Sequence, residues 1–546
     1  MIMPTSRRSF LQTAGAGVAL ATMTPMAAWS QVISEHKLTD STLHAFKKSL
    51  VGELVTPTDA LYDWARLIHH TNFDGIYPVA VAFCQTVGDV QRCVHFAQEY
   101  GLHMTGRCGG HSYCGYSLTG GLVIDVSRMN SVTVDPTTMT AVVGSGTLLI
   151  DAYHDLYKPH KLSIPGGSCP SVGVAGYHLG GGVGMQSRLY GTGCDRILEM
   201  GVVLADGSYV ICNPTHHADL YWAYRGGGGG NFGIVTHFKF QCHQVDRVNW
   251  ALVQWDWSVA PDVFDAWQHW LTEEGADWRQ FSIVKFHCNS PGADGAGDPP
   301  GISMVVQMDA GNGTSTAPLE QLIAPLLNTH HDKITKQVIA NGDFLQVTME
   351  VMGGCQWEKT DLEEGYLRCH TIGNPNFPSA SLSRETYKAK SAFFHLLSGE
   401  GIQACVDAID TRWNSDLPNT SDNYCALQFD SEDGAMGAVP KTATAYWHRN
   451  VLLHCQFLTY WKPEYAFKGD TAAYCQEADG SLEWITQAHA ALWPLSSGQA
   501  YQNYIDDDQP DWLNAYYGGN LPRLRQIKTK YDPDNIWSFK QQIPQA

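Results

Sequence analysis

Three glycine-rich stretches hold the residues whose types and spacing suit cofactor chemistry. The first is Arg107-Cys108-Gly109-Gly110-His111-Ser112-Tyr113. Paired glycines let a backbone approach a flat or anionic ligand, and a histidine directly after them is held at that surface, where it can react or bind. A turn carrying a solvated histidine accounts for these seven residues equally well. The second runs from Gly166-Gly167-Ser168-Cys169-Pro170-Ser171-Val172-Gly173 through Gly176 and His178 to Gly180-Gly181-Gly182-Val183-Gly184. Successive N–H groups in such a loop form a nest for a pyrophosphate. The third is Asp219-Leu220-Tyr221-Trp222-Ala223-Tyr224-Arg225, followed by five glycines, Asn231, Phe232, Gly233 and Ile234. A dinucleotide fingerprint is excluded, because Gly182-Val183-Gly184 is followed by Met185, Gln186 and Ser187 and the third glycine of G-x-G-x-x-G is missing.

Farther along, Leu427-Gln428-Phe429-Asp430-Ser431 reads as a strand with Gln428 and Asp430 on one face. A solvated edge strand is the alternative. Residues 451–457 read as another strand, with Leu452, His454 and Gln456 on one face and Val451, Leu453, Cys455 and Phe457 on the other. No metal site is expected. His216-His217 and His330-His331 are adjacent pairs that cannot easily share one ion, no C-x2-C pair exists, and these histidines read as solvated loop residues.

The elements that must position these groups alternate strand and helix over residues 77–245. Val79, Val81 and Phe83 have strand spacing; Val90, Cys93, Val94 and Ala97 follow helical spacing up to Gly101. Short β-type runs follow at 122–126, 141–143 and 200–204, and Asp206-Gly207 marks a hairpin. From about 246 to 490 the chain is richer in Trp and Met, with candidate strands at 250–257, 302–308, 426–429 and 451–459.

The three glycine-rich elements, in this order and spacing, resemble the FAD-linked oxidases of the berberine bridge enzyme group, within the vanillyl-alcohol oxidase type of flavoprotein. The resemblance runs from about Tyr62 to Pro544. Its C-terminal signature is Tyr501-x-Asn503-Tyr504, then Tyr517-Gly518-Gly519-Asn520, Arg523-Leu524 and Asp532-Pro533-x-Asn535. It implies an α+β chain with a bipartite FAD-binding domain and an α+β substrate domain built on an antiparallel sheet. The expected division is a signal peptide at 1–30, the FAD domain at 31–245, the substrate domain at 246–490, and a segment at 491–546 that returns to the FAD domain. By the same resemblance, FAD is attached twice, by an 8α-histidyl bond at His111 and a 6-S-cysteinyl bond at Cys169. The rest of the implied cofactor site is Arg107, Gly109, Gly110, Val172, Gly173, Gly176, His178, Gly182, Gly230, Asn231, Gly233, Ile234, Asn503 and Tyr504. Cys108 replaces the serine common at its position and reads as a small buried substitute. Val172 matches a position where Val goes with oxygen-using members and bulkier side chains with dehydrogenases.

Within that group the motifs come closest to glucooligosaccharide and hexose oxidases, which carry a Q-x-D element like Gln428-x-Asp430 and a Gln where Gln456 stands. The implied reaction removes a hydride from the anomeric carbon of a mono- or oligosaccharide, giving a lactone, with O2 reduced to H2O2. A base must take the hydroxyl proton as the hydride leaves. A carboxylate at its reference pKa of ~3.9 is a feeble base for an alcohol. The expectation is therefore a relay in which the Tyr501 oxygen accepts the sugar proton as its own proton moves to Asp430, with Tyr113, Gln428 and Gln456 positioning the ring. Oxidation of a nonsugar alcohol or tailoring intermediate, and a flavin-loaded binding protein with vestigial turnover, remain alternatives.

Composition sets the outer limits. With 44% hydrophobic and 16% charged residues the chain is globular, and a net charge of −19 with no basic run makes nucleic acid an unexpected partner. Ser6-Arg7-Arg8-Ser9-Phe10-Leu11, followed by a weakly apolar run and small residues at Ala28 and Ser30, forms a twin-arginine signal. The expectation is transient contact with that export machinery and a mature periplasmic or secreted protein that does not enter the membrane. Fifteen cysteines is an odd number, so one lacks a disulfide partner. Folding before export suggests few disulfides and several buried thiols.

Overall fold

The computed structural model describes residues 35–273, 276–289, 299–355, 362–374, 377–415 and 424–546; the expected signal peptide lies outside the described residues. A four-stranded sheet, ordered β1-β2-β4-β3, comprises β1 (Glu53–Val55), β2 (Ala80–Phe83), β3 (Met104–Arg107) and β4 (Leu122–Asp125). β4 runs parallel to both β2 and β3. A parallel pair needs a crossover. That between β2 and β3 is the helix Val87–Glu99, started by a capping box of Thr86 with Asp89 and ended near Gly101 at φ +63°. Its Val90, Cys93, Val94 and Ala97 are buried, as their spacing predicts. The Arg107 to Tyr113 stretch leaves the carboxyl end of β3.

A second sheet is antiparallel throughout, with the order β5-β6-β10-β8-β9. Its strands are β5 (Val132–Asp135), β6 (Thr140–Gly144), β8 (Ile197–Val203), β9 (Tyr209–Cys212) and β10 (Ile234–Gln241), while β7 (Leu162–Ser163) pairs with β11 (His243–Gln244). The expected turn joins β8 to β9: Gly207 takes φ +77°, a left-handed value that glycine adopts without strain.

The third sheet has seven antiparallel strands ordered β15-β12-β14-β13-β17-β18-β16. They are β12 (Arg247–Trp255), β13 (Gln280–Asn289), β14 (Gly301–Gly311), β15 (Ile334–Asp343), β16 (Tyr387–Phe394), β17 (Tyr424–Ser431) and β18 (Leu453–Tyr460). Strand alternation gives it two unlike faces. Val284, Phe286, Leu427, Phe429, Cys455 and Phe457 lie on a fully buried face that shares one core with the helices Ala260–Thr272, Gly399–Trp413 and Thr471–Leu492. Lys285, Gln428, Asp430, His454, Gln456 and Ser391 occupy the other. The α+β class is as expected, but the sheet has three strands, β13, β15 and β16, beyond the four anticipated.

The last segment crosses back. Tyr501, Ile505, Tyr516, Leu524 and Ile543 share a core with Leu149, Val174 and Leu220. On β16, Lys390 donates to Asp506 at 2.7 Å and to Asp508, while Lys388 reaches Asp506 at 2.6 Å. Burial alone would raise the Asp506 carboxyl, but the two ammonium groups hold it well below its usual range. One disulfide, Cys355–Cys369, is present, and thirteen cysteines are free, most of them buried. Among the described residues no helix is long and apolar enough to cross a membrane.

Removing one member of a buried ion pair strands the other charge, at a cost of about 3–5 kcal/mol. Lys390→Met leaves Asp506 with Lys388 alone, so it is expected to destabilise the protein by somewhat less than that, about 2 kcal/mol, read from the urea midpoint. Lys47→Met, which breaks the half-exposed pair with Asp59, should cost less than about 1 kcal/mol.

Candidate functional site

Two loops meet backbone to backbone. A Cβ on Gly109 would stand 2.5 Å from the Gly173 nitrogen and 2.7 Å from the Ser171 oxygen; one on Gly173 would stand 2.2 Å from Cys108 Sγ and 2.5 Å from the Gly109 nitrogen. The bareness of Gly109 and Gly173 thus serves the contact between the loops, a use of these glycines that the sequence did not reveal. Cys108 fills the space over Gly173, and its thiol is pushed up to about 12 by burial. Gly110 follows at φ +69°, its carbonyl accepting from the His69 N–H at 3.1 Å.

The crossing brings His111 to the second loop, where Nε2 bonds Ser171 Oγ at 3.0 Å and the ring stacks on His69 at 4.0 Å. Nδ1 has no hydrogen bond among the described residues. Burial, then His69, hold the imidazole well below its usual pKa, so it is neutral and keeps a nitrogen lone pair. Two residues before Ser171 lies Cys169, the single exposed cysteine of the thirteen that are free. Its thiol opens into a recess, where enclosure and then Glu385 push it up to about 11 against the pull of Lys285. Val172, half-buried, stands between Ser171 and Gly173.

The polar face of the seven-stranded sheet supplies the opposite side. Gln428 and Gln456 are cross-strand partners, as are Asp430 and His454. Gln428 Nε2 donates to Asp430 Oδ1 at 3.0 Å, and Gln456 Nε2 donates to the Tyr113 hydroxyl at 2.8 Å, tying the sheet to the first loop. Tyr113 stacks on Tyr504, which stacks on His454. Asp430 is 6% exposed, and burial lifts its carboxyl to about 7, opposed by Gln428 and then Lys285. Behind it, burial holds Glu432 above and His454 below their usual ranges, which leaves both neutral. Lys285 is the site residue the sequence reading missed, although Ile283, Lys285 and His287 alternate with Val284, Phe286 and Cys288 as strand residues should.

The expected Tyr501 to Asp430 hydrogen bond is absent. The Tyr501 oxygen instead accepts from the N–H groups of Gly182 at 2.9 Å and Val183 at 3.2 Å and from Asn503 Nδ2 at 2.9 Å. Those donors commit both Gly182 and Asn503 to the tyrosine, and Asn503 also donates to the Tyr177 carbonyl at 2.8 Å. Other residues of the expected cofactor site also have partners within the protein. Arg107 pairs with Asp125 on β4 at 2.5 Å and with the Ala65 carbonyl. His178 is wholly buried between the Val174 and Pro165 carbonyls, with burial lowering its pKa to about 4. Asn231 donates to the Gly227 and Gly229 carbonyls and accepts from the Ile543 N–H, so it shapes the glycine loop and fastens it to the C-terminus. A Cβ on Gly233 would strike the Val203 oxygen at 2.3 Å, one on Gly230 would meet Phe539 at 3.5 Å, and Ile234 packs over Gly106.

Gly176 differs. It lies on the helix Val174–Leu179 and is exposed, with no atom within 4 Å of where a Cβ would sit. The crossing loops thus carry an exposed thiol at Cys169 and a neutral imidazole at His111, and the helix that follows the second loop offers bare, exposed backbone at Gly176. That donor set fits an extended, flat cofactor joined at two points.

A family model described as FAD binding domain matches residues 78–213, and one described as Berberine and berberine like matches residues 500–544. The solved structure of Physcomitrella patens BBE-like 1 is 30% identical, with a TM-score of 0.78 over 92% of this chain and 99% of that one. Glucooligosaccharide oxidase of Sarocladium strictum is 27% identical over 480 residues, 84% of this chain and 86% of the relative. A glucooligosaccharide oxidase from Acremonium strictum with a 6-S-cysteinyl, 8α-N1-histidyl FAD shares the fold, with a TM-score of 0.75 at 23% identity over 92% of this chain and 99% of that one.

Because the loop crossing admits no side chain, Gly109→Ala should separate His111 from Cys169. The expected result is a lower melting temperature and a large fall in FAD retained on the purified protein, read from the ratio of flavin to protein absorbance. Gly176→Ala should leave the melting temperature nearly unchanged while lowering FAD retention, because its Cβ would meet no atom of the protein and would only cover the bare backbone expected to lie along the cofactor.

Proposed function

Since the chain belongs to the berberine bridge enzyme-like FAD-linked oxidoreductases, we propose that it is a carbohydrate oxidase with doubly attached FAD. It takes a hydride from the anomeric carbon of a mono- or oligosaccharide and releases a lactone and H2O2. The observation that carries this reading is a buried carboxylate, Asp430, lifted to about 7 and flanked by two glutamine amides on a sheet face opposite His111 and Cys169. FAD, when bound, supplies the hydride acceptor and the route for two electrons to O2.

The chain's own residues do the rest. Asp430 takes the hydroxyl proton as the C–H bond yields its hydride and the C=O bond forms, and its raised pKa makes it a far better base than a carboxylate at ~3.9. A phenol relay is therefore not needed for basicity. Gln428 keeps one Asp430 oxygen engaged, leaving the other for substrate. Gln456 and Tyr113 orient a ring hydroxyl. The Tyr501 oxygen, met by three N–H donors, holds the Gly182 and Val183 backbone beneath the site. Val172 leaves room for oxygen.

Attachment through His111 Nδ1 is supported by the free state of that nitrogen and matches the N1 linkage in the Acremonium enzyme. Attachment through Cys169 is supported by its solitary exposure. Export rests on Ser6-Arg7-Arg8-Ser9-Phe10-Leu11 and is consistent with the Cys355–Cys369 disulfide.

Intact mass after denaturation should show FAD still bound to the wild type, and to His111→Ala and Cys169→Ala through one remaining bond each; complete release by acid from the wild type would overturn double attachment. A sugar panel in air should release H2O2, and turnover confined to nonsugar alcohols would sink the carbohydrate reading.

Because Asp430 must be ionised to accept a proton, anaerobic flavin reduction should speed up as pH rises through about 7. Asp430→Asn, which keeps the shape, should lose that limb and slow reduction by roughly 100-fold or more. A normal rate in this variant would move the base elsewhere.

A further inference from the structure

Lys285 stands opposite Gln428 in the pairing of β13 with β17, and Gln428 stands opposite Gln456 in the pairing of β17 with β18. The three side chains form one row across three strands. Strands lie about 4.8 Å apart, so the row spans about 10 Å. Asp430 is the diagonal neighbour of Lys285, two residues along β17 on the same face. The Gln456 end of the row is held by the Tyr113 hydroxyl. The Lys285 end is not held.

Four other enclosed cations are each spent on a carboxylate: Arg107 on Asp125, Lys390 on Asp506, Arg449 on Asp195 and Lys528 on Asp532. Lys285 is half-buried and makes no hydrogen bond or ion pair among the described residues. Enclosure holds its ammonium below the usual lysine range, opposed by Asp430 and then Cys169, the two groups that face it. Asp430 does not serve as its counter-ion, since one carboxylate oxygen accepts from Gln428 and the reaction needs the other. An enclosed ammonium without a carboxylate of its own is costly unless a ligand supplies one. The protein's net charge of −19 gives an anion no help on approach, so any selection for one must come from a local contact.

We propose that Lys285 receives a carboxylate of the substrate, so that the site takes uronic acids, or oligosaccharides ending in one, in preference to neutral sugars. This rests on the carbohydrate reading above and names its substrate class. The anomeric carbon lies at Asp430, the ring extends along the row of amides, and the carboxylate ends at Lys285 in a charge-assisted hydrogen bond. Lys285 binds and selects; it takes no part in the proton transfer.

The test uses the flavin-loaded enzyme and matched pairs, D-glucuronate against D-glucose and D-galacturonate against D-galactose, followed by anaerobic stopped-flow reduction. The uronate of each pair should show a kcat/KM at least about tenfold higher, as a charge-assisted contact allows. Lys285→Gln should lower kcat/KM for the uronates roughly tenfold more than for the neutral sugars, mainly through KM, and Lys285→Arg should keep the preference. Flavin content by intact mass verifies that each variant has folded and loaded. A neutral sugar oxidised as fast as its uronate, or equal losses for both in Lys285→Gln, overturns the inference and leaves the carbohydrate reading standing. Turnover of 4-(hydroxymethyl)benzoate but of none of the four sugars overturns both.

Discussion

The site depends on one close approach, that of the Gly109 and Gly173 backbones. Two loops from distant points of the chain can bring His111 and Cys169 to the same gap only if nothing projects where they cross, and at both positions a single methyl group would overlap main-chain atoms. Close-packed interiors do not absorb such overlap cheaply. The meeting of the two loops that carry His111 and Cys169 is therefore decided by two missing side chains, with Ser171 and Cys108 filling the space on either side.

The same logic governs the larger glycine clusters. Gly180 lies where a Cβ would meet Asn503 at 1.9 Å, Gly226 where it would meet the Tyr446 nitrogen at 2.2 Å, and Gly228 where it would meet Gln502 at 2.3 Å. These glycines receive the C-terminal segment and the loop before β18. Asn231 and Lys528 complete the joint, the lysine donating to the Asn231 carbonyl at 2.9 Å and to Asp532 at 2.6 Å. Tyr501 belongs to this joint as much as to the site: its oxygen is the common acceptor of three N–H groups, among them the buried one of Gly182.

The chemistry, in turn, depends on the two faces of one sheet. Alternation sends the apolar residues of β13, β17 and β18 to the helices and leaves Lys285, Gln428, Asp430 and Gln456 facing the loops. Once the loops close over that face, burial raises the Asp430 carboxyl, and the neutrality of Glu432 and His454 means that no charged neighbour behind it reverses the effect.

The amino-acid sequence alone determined the α+β class, the strand parity that puts Gln428 beside Asp430 and Gln456 beside His454, and the family signature carried by His111, Cys169 and the C-terminal tyrosines. These properties are local: side-chain direction along a strand follows from the pleat, and a motif is a run of residue types. It did not determine which glycines meet a ligand and which meet other backbone, because a glycine in sequence reports only freedom and never what uses it. Nor did it determine that Asn231, His178 and Arg107 are spent on backbone and on Asp125, or that Tyr501 bonds Gly182 and not Asp430, since those partners come from distant segments. The rise of the Asp430 carboxyl above its ordinary range, and the place of Lys285 beside it, were decided only by tertiary structure. Burial and strand register are properties of the packed sheet, and the residues of β13 do not by themselves say which strand will lie beside it.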